Sequence, residues 1–456
     1  MNNTYKLCIA LLAIMLCNTS CKKYLDEKPN AALAIPTALT DLQALLDNYD
    51  RFSRTGDGSS AEMSADNYYV TTTDWNTLPE EYRRLYTWEK DNVLPPYPNN
   101  WSGYYNQVYI ANTVLDLLPT MERNISNANK WDHINSQAHF WRAKALQQLA
   151  FGWCLAYDET TANKDLGLPL RTDADFNKTS VRSSVAETYQ LIVQDLAASI
   201  NGLPVTDVTP MRPTRPAAYG LLARTYLAMR KYNLAGKYAD SCLQLKNSLL
   251  DYNSLVPTAT YPLPAFNTGN IEILLESRSL NPPLLDFSMS KTDSLLYTSY
   301  AANDLRKSLF FLNNNNGTYG FKGSYEGSGS QFTGIAVDEV WLMRAECQAR
   351  TGNIAAAMSD LNSLMVKRWK NGTFIPITAA SATEALDKIL MERRKELLYR
   401  NWRWMDIKRL NKEGANIVLK RIINNQTYTL MPNDNKYALP IPEQVIALSG
   451  MPQNPR

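Results

Sequence analysis

AAYGLLARTYLAMRKYNLAGKYADSCLQL (217–245) and DEVWLMRAECQARTGNIAAAMSDLNSLMV (338–366) decide the fold. Each is a pair of short apolar patterns at helical spacing, broken by a turn. The turn falls at Arg230-Lys231 in the first and at Thr351-Gly352-Asn353 in the second. Ala223 and Ala235 stand 12 positions apart, as do Ala345 and Ala357. Small side chains at those positions let the two helices of a hairpin approach closely, which is the logic of the tetratricopeptide helix–turn–helix. Such a hairpin cannot bury its apolar face alone, so hairpins stack into a superhelix. The expectation is a mainly all-α fold of tetratricopeptide-like hairpins.

Outward from these repeats the helical signal continues. AHFWRAKALQQLAFGWCLA (138–156) is apolar on most sides, with Lys144, Gln147 and Gln148 as its only polar stripe, so it must be packed between other helices. Ala143 opens a helix related to the repeats, but no matching turn follows it. Segments 184–203 and 383–410 add further amphipathic helices. Between the helical parts lie two long irregular regions, 52–102 and 250–335, rich in Gly, Ser, Thr, Pro, Asn and aromatics. Loops this long are functional or disordered, and their aromatics argue against disorder.

The first twenty residues read as a leader. Lys6 is a small positive n-region, and LCIALLAIMLC (7–17) is an apolar run of eleven residues. A spanning helix needs about 20, so this run has the length of a signal-peptide core. Asn18-Thr19-Ser20 and then Cys21 follow the bacterial lipoprotein pattern, although Asn18 stands where Leu is usual. Cys21 is therefore the expected site of lipid attachment, and acylation would tether the chain to a membrane. The expected organisation is a signal peptide at 1–20 and a single domain at 21–456. Its N-terminal part, 21–335, carries the aromatic loops and repeat helices, and 336–456 carries the second hairpin. Cys154, Cys242 and Cys347 are far apart, odd in number and set in apolar helical stretches, so they read as small buried hydrophobes.

Lys6 is the only charge in the leader, so the remaining 46 basic and 44 acidic residues leave a formal +2. That is no nucleic-acid signature. Tyr (26) and Trp (10) together outnumber Phe (11), which suggests aromatic surface used for contact.

Six motifs in order resemble the SusD/RagB family of nutrient-binding outer-membrane lipoproteins from Bacteroidota. They are CKKYLDEKP (21–29), WSGYYNQVYIANTVLDLLP (101–119), PTRPAAYGLLARTYLAM (213–229), LMRAECQARTGN (342–353), ILMERRKELLYRNWRWMDIKRL (389–410) and LPIPEQVIALSGMPQNP (439–455). The resemblance implies a helical scaffold that carries a loop-built binding face. It implies an oligosaccharide ligand, with a peptide as the alternative, and a SusC-like TonB-dependent outer-membrane transporter as partner. A third reading is a scaffold of the transporter complex with no ligand site. Lys22 is not the Asp that retains some lipoproteins at the inner membrane, so the tether points to the outer membrane; the resemblance implies that it faces the cell exterior, although Lys22-Lys23 is not the acidic run typical of export to the outer leaflet.

No residue pattern favours catalysis, a metal or a cofactor. The two histidines, His133 and His139, are too few for zinc, and no nucleotide or nucleophile motif occurs. Glu392 and Glu396, among Arg393, Arg394 and Lys395, read as ion-paired helix residues. Arg403 and Asp406, three apart, read as a pair that locks packing. The ligand-binding candidates come from the aromatic loops, because sugars present C–H faces to rings and hydroxyls to polar groups. They are Asp66, Asn67, Tyr68, Tyr69, Trp75, Trp88 and Tyr97 from the first region, and Tyr297, Tyr300, Arg306 and Tyr319 from the second. Asn99 and Asn100 accompany Tyr97, and Trp101 belongs to the helix framework.

Overall fold

The computed structural model describes residues 36–54, 57–279 and 281–456, so the leader and Cys21 lie outside the described residues. Its longer helices are α1 (Leu39–Leu46), α2 (Asn100–Leu117), α3 (Ala128–Trp153), α4 (Val185–Ser199), α5 (Arg215–Ala228), α6 (Tyr232–Leu245), α7 (Val337–Arg350), α8 (Ile354–Met365), α9 (Ala382–Glu396) and α10 (Arg403–Asn411). Helices α2 to α7 stack in chain order, each against the next, and α7 carries both α8 and α9. The described strands form six short antiparallel pairs and no larger sheet.

The two repeats fold as the hairpins α5–α6 and α7–α8. Thr214 caps α5, accepting from the Ala217 N–H, and Pro216 occupies the first turn, where a missing N–H costs nothing. Arg230 turns the chain with φ +60°, and Gly352 does the same with φ +82°. Ala223, Ala235, Ala345 and Ala357 are fully buried. The hairpins also pack on each other: a Cβ added at Gly236 on α6 would lie 3.0 Å from the Cys347 Cβ on α7. Cys154, Cys242 and Cys347 are buried and free, and burial pushes their thiols up.

Helix α3 is buried along its second half. It pairs with α4 only after the intervening strand pair Leu166–Pro169 and Arg182–Ser184, which stands where a hairpin turn would otherwise be. Its C-terminal end is closed by remote groups. The Lys408 ammonium donates to the Phe151 and Cys154 carbonyls, a cation placed at the negative end of the helix. The Asn454 amide donates to the Trp153 carbonyl at 2.9 Å and the Leu439 carbonyl at 2.7 Å.

The two loop regions are more ordered than their composition indicates. They meet through the pair Tyr68–Tyr69 with Lys291–Thr292 and a bridge between Asp57 and Ser279. A buried ionic network joins the second region to the scaffold. Arg368 binds Glu396 at 2.7 Å and Glu272 at 2.8 Å, while Arg306 binds Asp304 at 2.7 Å and Glu396 at 2.9 Å. Glu392 joins through Arg306 and Lys395. The expected pair Arg403–Asp406 does not form. Arg403 reaches Asp66 at 2.7 Å, whereas Asp406 lies between Arg393 and Arg409, both at 2.8 Å. Contacts between elements, rather than spacing along one helix, choose the partners.

Candidate functional site

A cleft of about 310 Å³ opens where the two loop regions face each other. One wall comes from Tyr82, Val93, Leu94 and Pro95, the other from Asn281, Pro282 and Pro283, with Asn99 and Asn100 between them. A hollow of about 470 Å³ adjoins it, sharing Leu94, Pro95 and Asn99, and adds Tyr97, Glu80, Glu81 and Pro442–Gln444.

Asp57 anchors the floor. Its carboxylate accepts from the Lys144 ammonium at 2.7 and 2.8 Å, and from the Ser277 and Thr333 hydroxyls at 2.7 Å each. One side chain thus ties both loop regions to α3. Lys144, part of the lone polar stripe on that helix, is buried for this purpose. Burial pulls its ammonium below the ordinary lysine value, against the attraction of Asp57. The asparagines are held as firmly. Asn99 caps α2 by accepting from the Ser102 N–H at 3.0 Å, while the Ser102 hydroxyl accepts from the Asn99 N–H at 2.9 Å. Gly58 packs flat on Asn100, where a Cβ would come within 2.4 Å of its side chain. Asn281 accepts from Gln331 and donates to Asp286, both at 3.3 Å.

The cleft therefore presents fixed amide groups beside aromatic rings. Tyr97 is 73% exposed and Tyr82 is half-buried, and burial raises the Tyr82 phenol above its ordinary value. A sugar ring needs both kinds of surface: a flat face for its C–H groups and donors or acceptors for its hydroxyls.

Of the residues expected from sequence, Asn99 and Asn100 line the cleft and Tyr97 lines the adjoining hollow. Five are enclosed and offer nothing to a ligand. Tyr68 donates to the Met63 carbonyl at 2.6 Å, Trp88 to the Ser64 carbonyl at 3.0 Å, and Tyr300 to the Lys395 carbonyl at 2.7 Å. Asn67 donates to Glu62 at 2.9 Å, and Arg306 is consumed by its carboxylates. In each case a polar tip that could have met a ligand closes a buried backbone or ionic contact instead. Asp66 is engaged by Arg403 and Arg394. Tyr69, Trp75, Tyr297 and Tyr319 are half-buried elsewhere on the loop face. Tyr297 and Tyr319 stack on each other at 3.6 Å, and Arg83 covers Trp75 at 5.2 Å. Tyr82 and Asn281 were not expected. The Asn-Pro-Pro turn at 281–283 is the signal that could have found the second of them.

Two family models match in tandem: "Starch-binding associating with outer membrane" over residues 23–227, and "SusD family" over residues 311–456. The chain belongs to the SusD family. The SusD fold is also seen in solved structures. A SusD superfamily protein from Bacteroides thetaiotaomicron superposes with a TM-score of 0.74 at 21% identity, covering 92% of this chain and 100% of its own. One from Bacteroides fragilis gives 0.73 at 22% identity, covering 91% and 99%. A SusD-like carbohydrate binding protein from Bacteroides vulgatus gives 0.69 at 18% identity, covering 91% and 97%. No curated protein matches the chain at significance. Among the described residues of this SusD-family chain, no helix is long and apolar enough to cross a membrane.

Proposed function

We propose that the protein is a nutrient-binding lipoprotein that captures an oligosaccharide in the cleft between its two loop regions. It is anchored to the outer membrane through acylated Cys21, facing outward, and hands its ligand to a SusC-like TonB-dependent transporter. The observation that carries the ligand reading is the pairing of Tyr82 and Tyr97 with the fixed amides of Asn99, Asn100 and Asn281. Family membership and the carbohydrate-binding description of the Bacteroides vulgatus relative support it. Ring stacking and hydrogen bonds are each modest in net strength, so affinity is micromolar or weaker, about −8 kcal/mol or smaller in magnitude.

Calorimetry of the mature chain against glycan and peptide panels tests this. Heat with glycans, weakened in Tyr97→Ala and Tyr82→Ala, supports the reading, and heat with peptides alone sinks it. For the anchor, radiolabelled palmitate incorporation must disappear in Cys21→Ala. Co-purification with a TonB-dependent transporter from the outer membrane tests the partner.

A further inference from the structure

Trp101 opens α2 and is only 4% exposed. It packs on Tyr105 with centroids 4.8 Å apart and meets Trp153 edge-on at 5.5 Å. Its indole N–H donates to no group among the described residues and is not among the sealed polar atoms, so it remains accessible. Enclosed indoles usually find an acceptor, and Trp153 does so at the Pro440 carbonyl, 3.0 Å away. Trp75, Trp141, Trp369 and Trp402 also lack one, but their N–H groups are sealed from solvent. Trp101 differs because it lines a cavity.

That cavity, of about 250 Å³, lies between α2, the 169–180 segment, and Val445 and Met451. It is separate from the cleft. The helix Glu443–Ser449 stands between them, with Pro442, Glu443 and Gln444 bordering the outer hollow of the cleft and Val445 bordering this cavity. Two rings line it and stand out into solvent: Tyr109, 48% exposed, and Phe176, 80% exposed. The segment bearing Phe176 is tied down rather than loose. Asn112 on α2 donates to the Arg171 and Asp173 carbonyls at 3.0 Å each, and the Ala174 N–H donates to Asp116 at 2.8 Å.

The chemistry of the walls narrows the occupant. The volume lies below the roughly 300–1,000 Å³ of sites for drug-sized ligands, so it suits one ring. A hydrocarbon ring would leave the Trp101 N–H unpaired. The charges at the wall already face one another: Asp173 is held by Lys178 at 2.6 Å and lies in the field of the Arg171 guanidinium, whose Nη groups are turned onto the Lys178 and Asp175 carbonyls, so a charged ring finds no unbalanced partner. A pyranose ring supplies what is missing, a C–H face for the exposed rings and a hydroxyl oxygen for the indole. We infer that this pocket is a second carbohydrate site, taking one neutral pyranose ring, apart from the cleft.

The inference shares its ligand class with the proposed function but uses different residues, so the two can fail separately. Saturation-transfer difference NMR on the mature chain, with the methyl pyranosides of glucose, galactose, mannose and xylose, tests it. At least one glycoside should receive saturation. That signal should persist in the cleft variant Tyr82→Ala/Tyr97→Ala and fall at least fivefold in Tyr109→Ala/Phe176→Ala, with circular dichroism unchanged in both. Signal indifferent to Tyr109 and Phe176 overturns the inference, as does signal lost only in the cleft variant. No saturation of any glycoside overturns it too, and p-cresol binding there alone would mark an aryl pocket instead.

Discussion

Glu62 shows how much depends on a single side chain. It is fully buried, and its carboxylate accepts from the Asn67 amide at 2.9 Å and the Asn401 N–H at 3.0 Å. Burial pushes it up to about 7, beyond what these bonds offset. The unfolded chain therefore ionises Glu62 first, and the native state holds the proton to higher pH. The contribution of Glu62 to stability is greatest below the unfolded value and is lost as pH rises through about 7, by about 3 kcal/mol at most. Urea denaturation at pH 5 and pH 8 should show a smaller difference in Glu62→Gln than in the parent chain. At the binding face, Tyr97→Ala should weaken glycan binding about three- to tenfold by calorimetry, the loss of one stacking contact. Residue identity was the least legible level in the sequence. Tyr68, Trp88 and Tyr300 carry the same composition signal as Tyr97, and only three-dimensional burial separates them.

At the scale of elements the sequence was far more informative. The alanine spacing places both hairpins, and the turns fall at Arg230 and Gly352 as expected. Close approach between elements leaves its own mark in Gly236, which faces Cys347 across the hairpin boundary. Gly236→Val should push α6 from α7 and destabilise the protein by about 1–3 kcal/mol, read as a lower melting temperature. The sequence could not show the partner of α3. Its hairpin turn is replaced by a strand pair whose ladder is local, whereas the helix contact it permits is not. Composition marked the two loop regions as irregular, whereas the structure builds short helices and strand pairs in them; their mutual pairing depends on register between distant strands, which carries no signal in a single sequence.

The whole molecule is held by contacts that span long stretches of chain. Arg368 is fully buried and binds Glu272 and Glu396, joining the second loop region to the helical stack. Arg368→Met would leave the buried Glu272 carboxylate without its cation, while Glu396 keeps Arg306, at a cost of about 3–5 kcal/mol. Urea unfolding should show this as a lower midpoint, and glycan binding by any folded fraction should be unchanged. The closure of α3 by Lys408 and Asn454 carries a consequence in time. Asn454 reaches Trp153 across 301 positions of sequence. A chain emerging from a ribosome has no such residue to offer until 301 further positions have appeared. The helix at the centre of the stack must therefore wait, partly open, for the segment that finishes it. Such non-local closure slows folding.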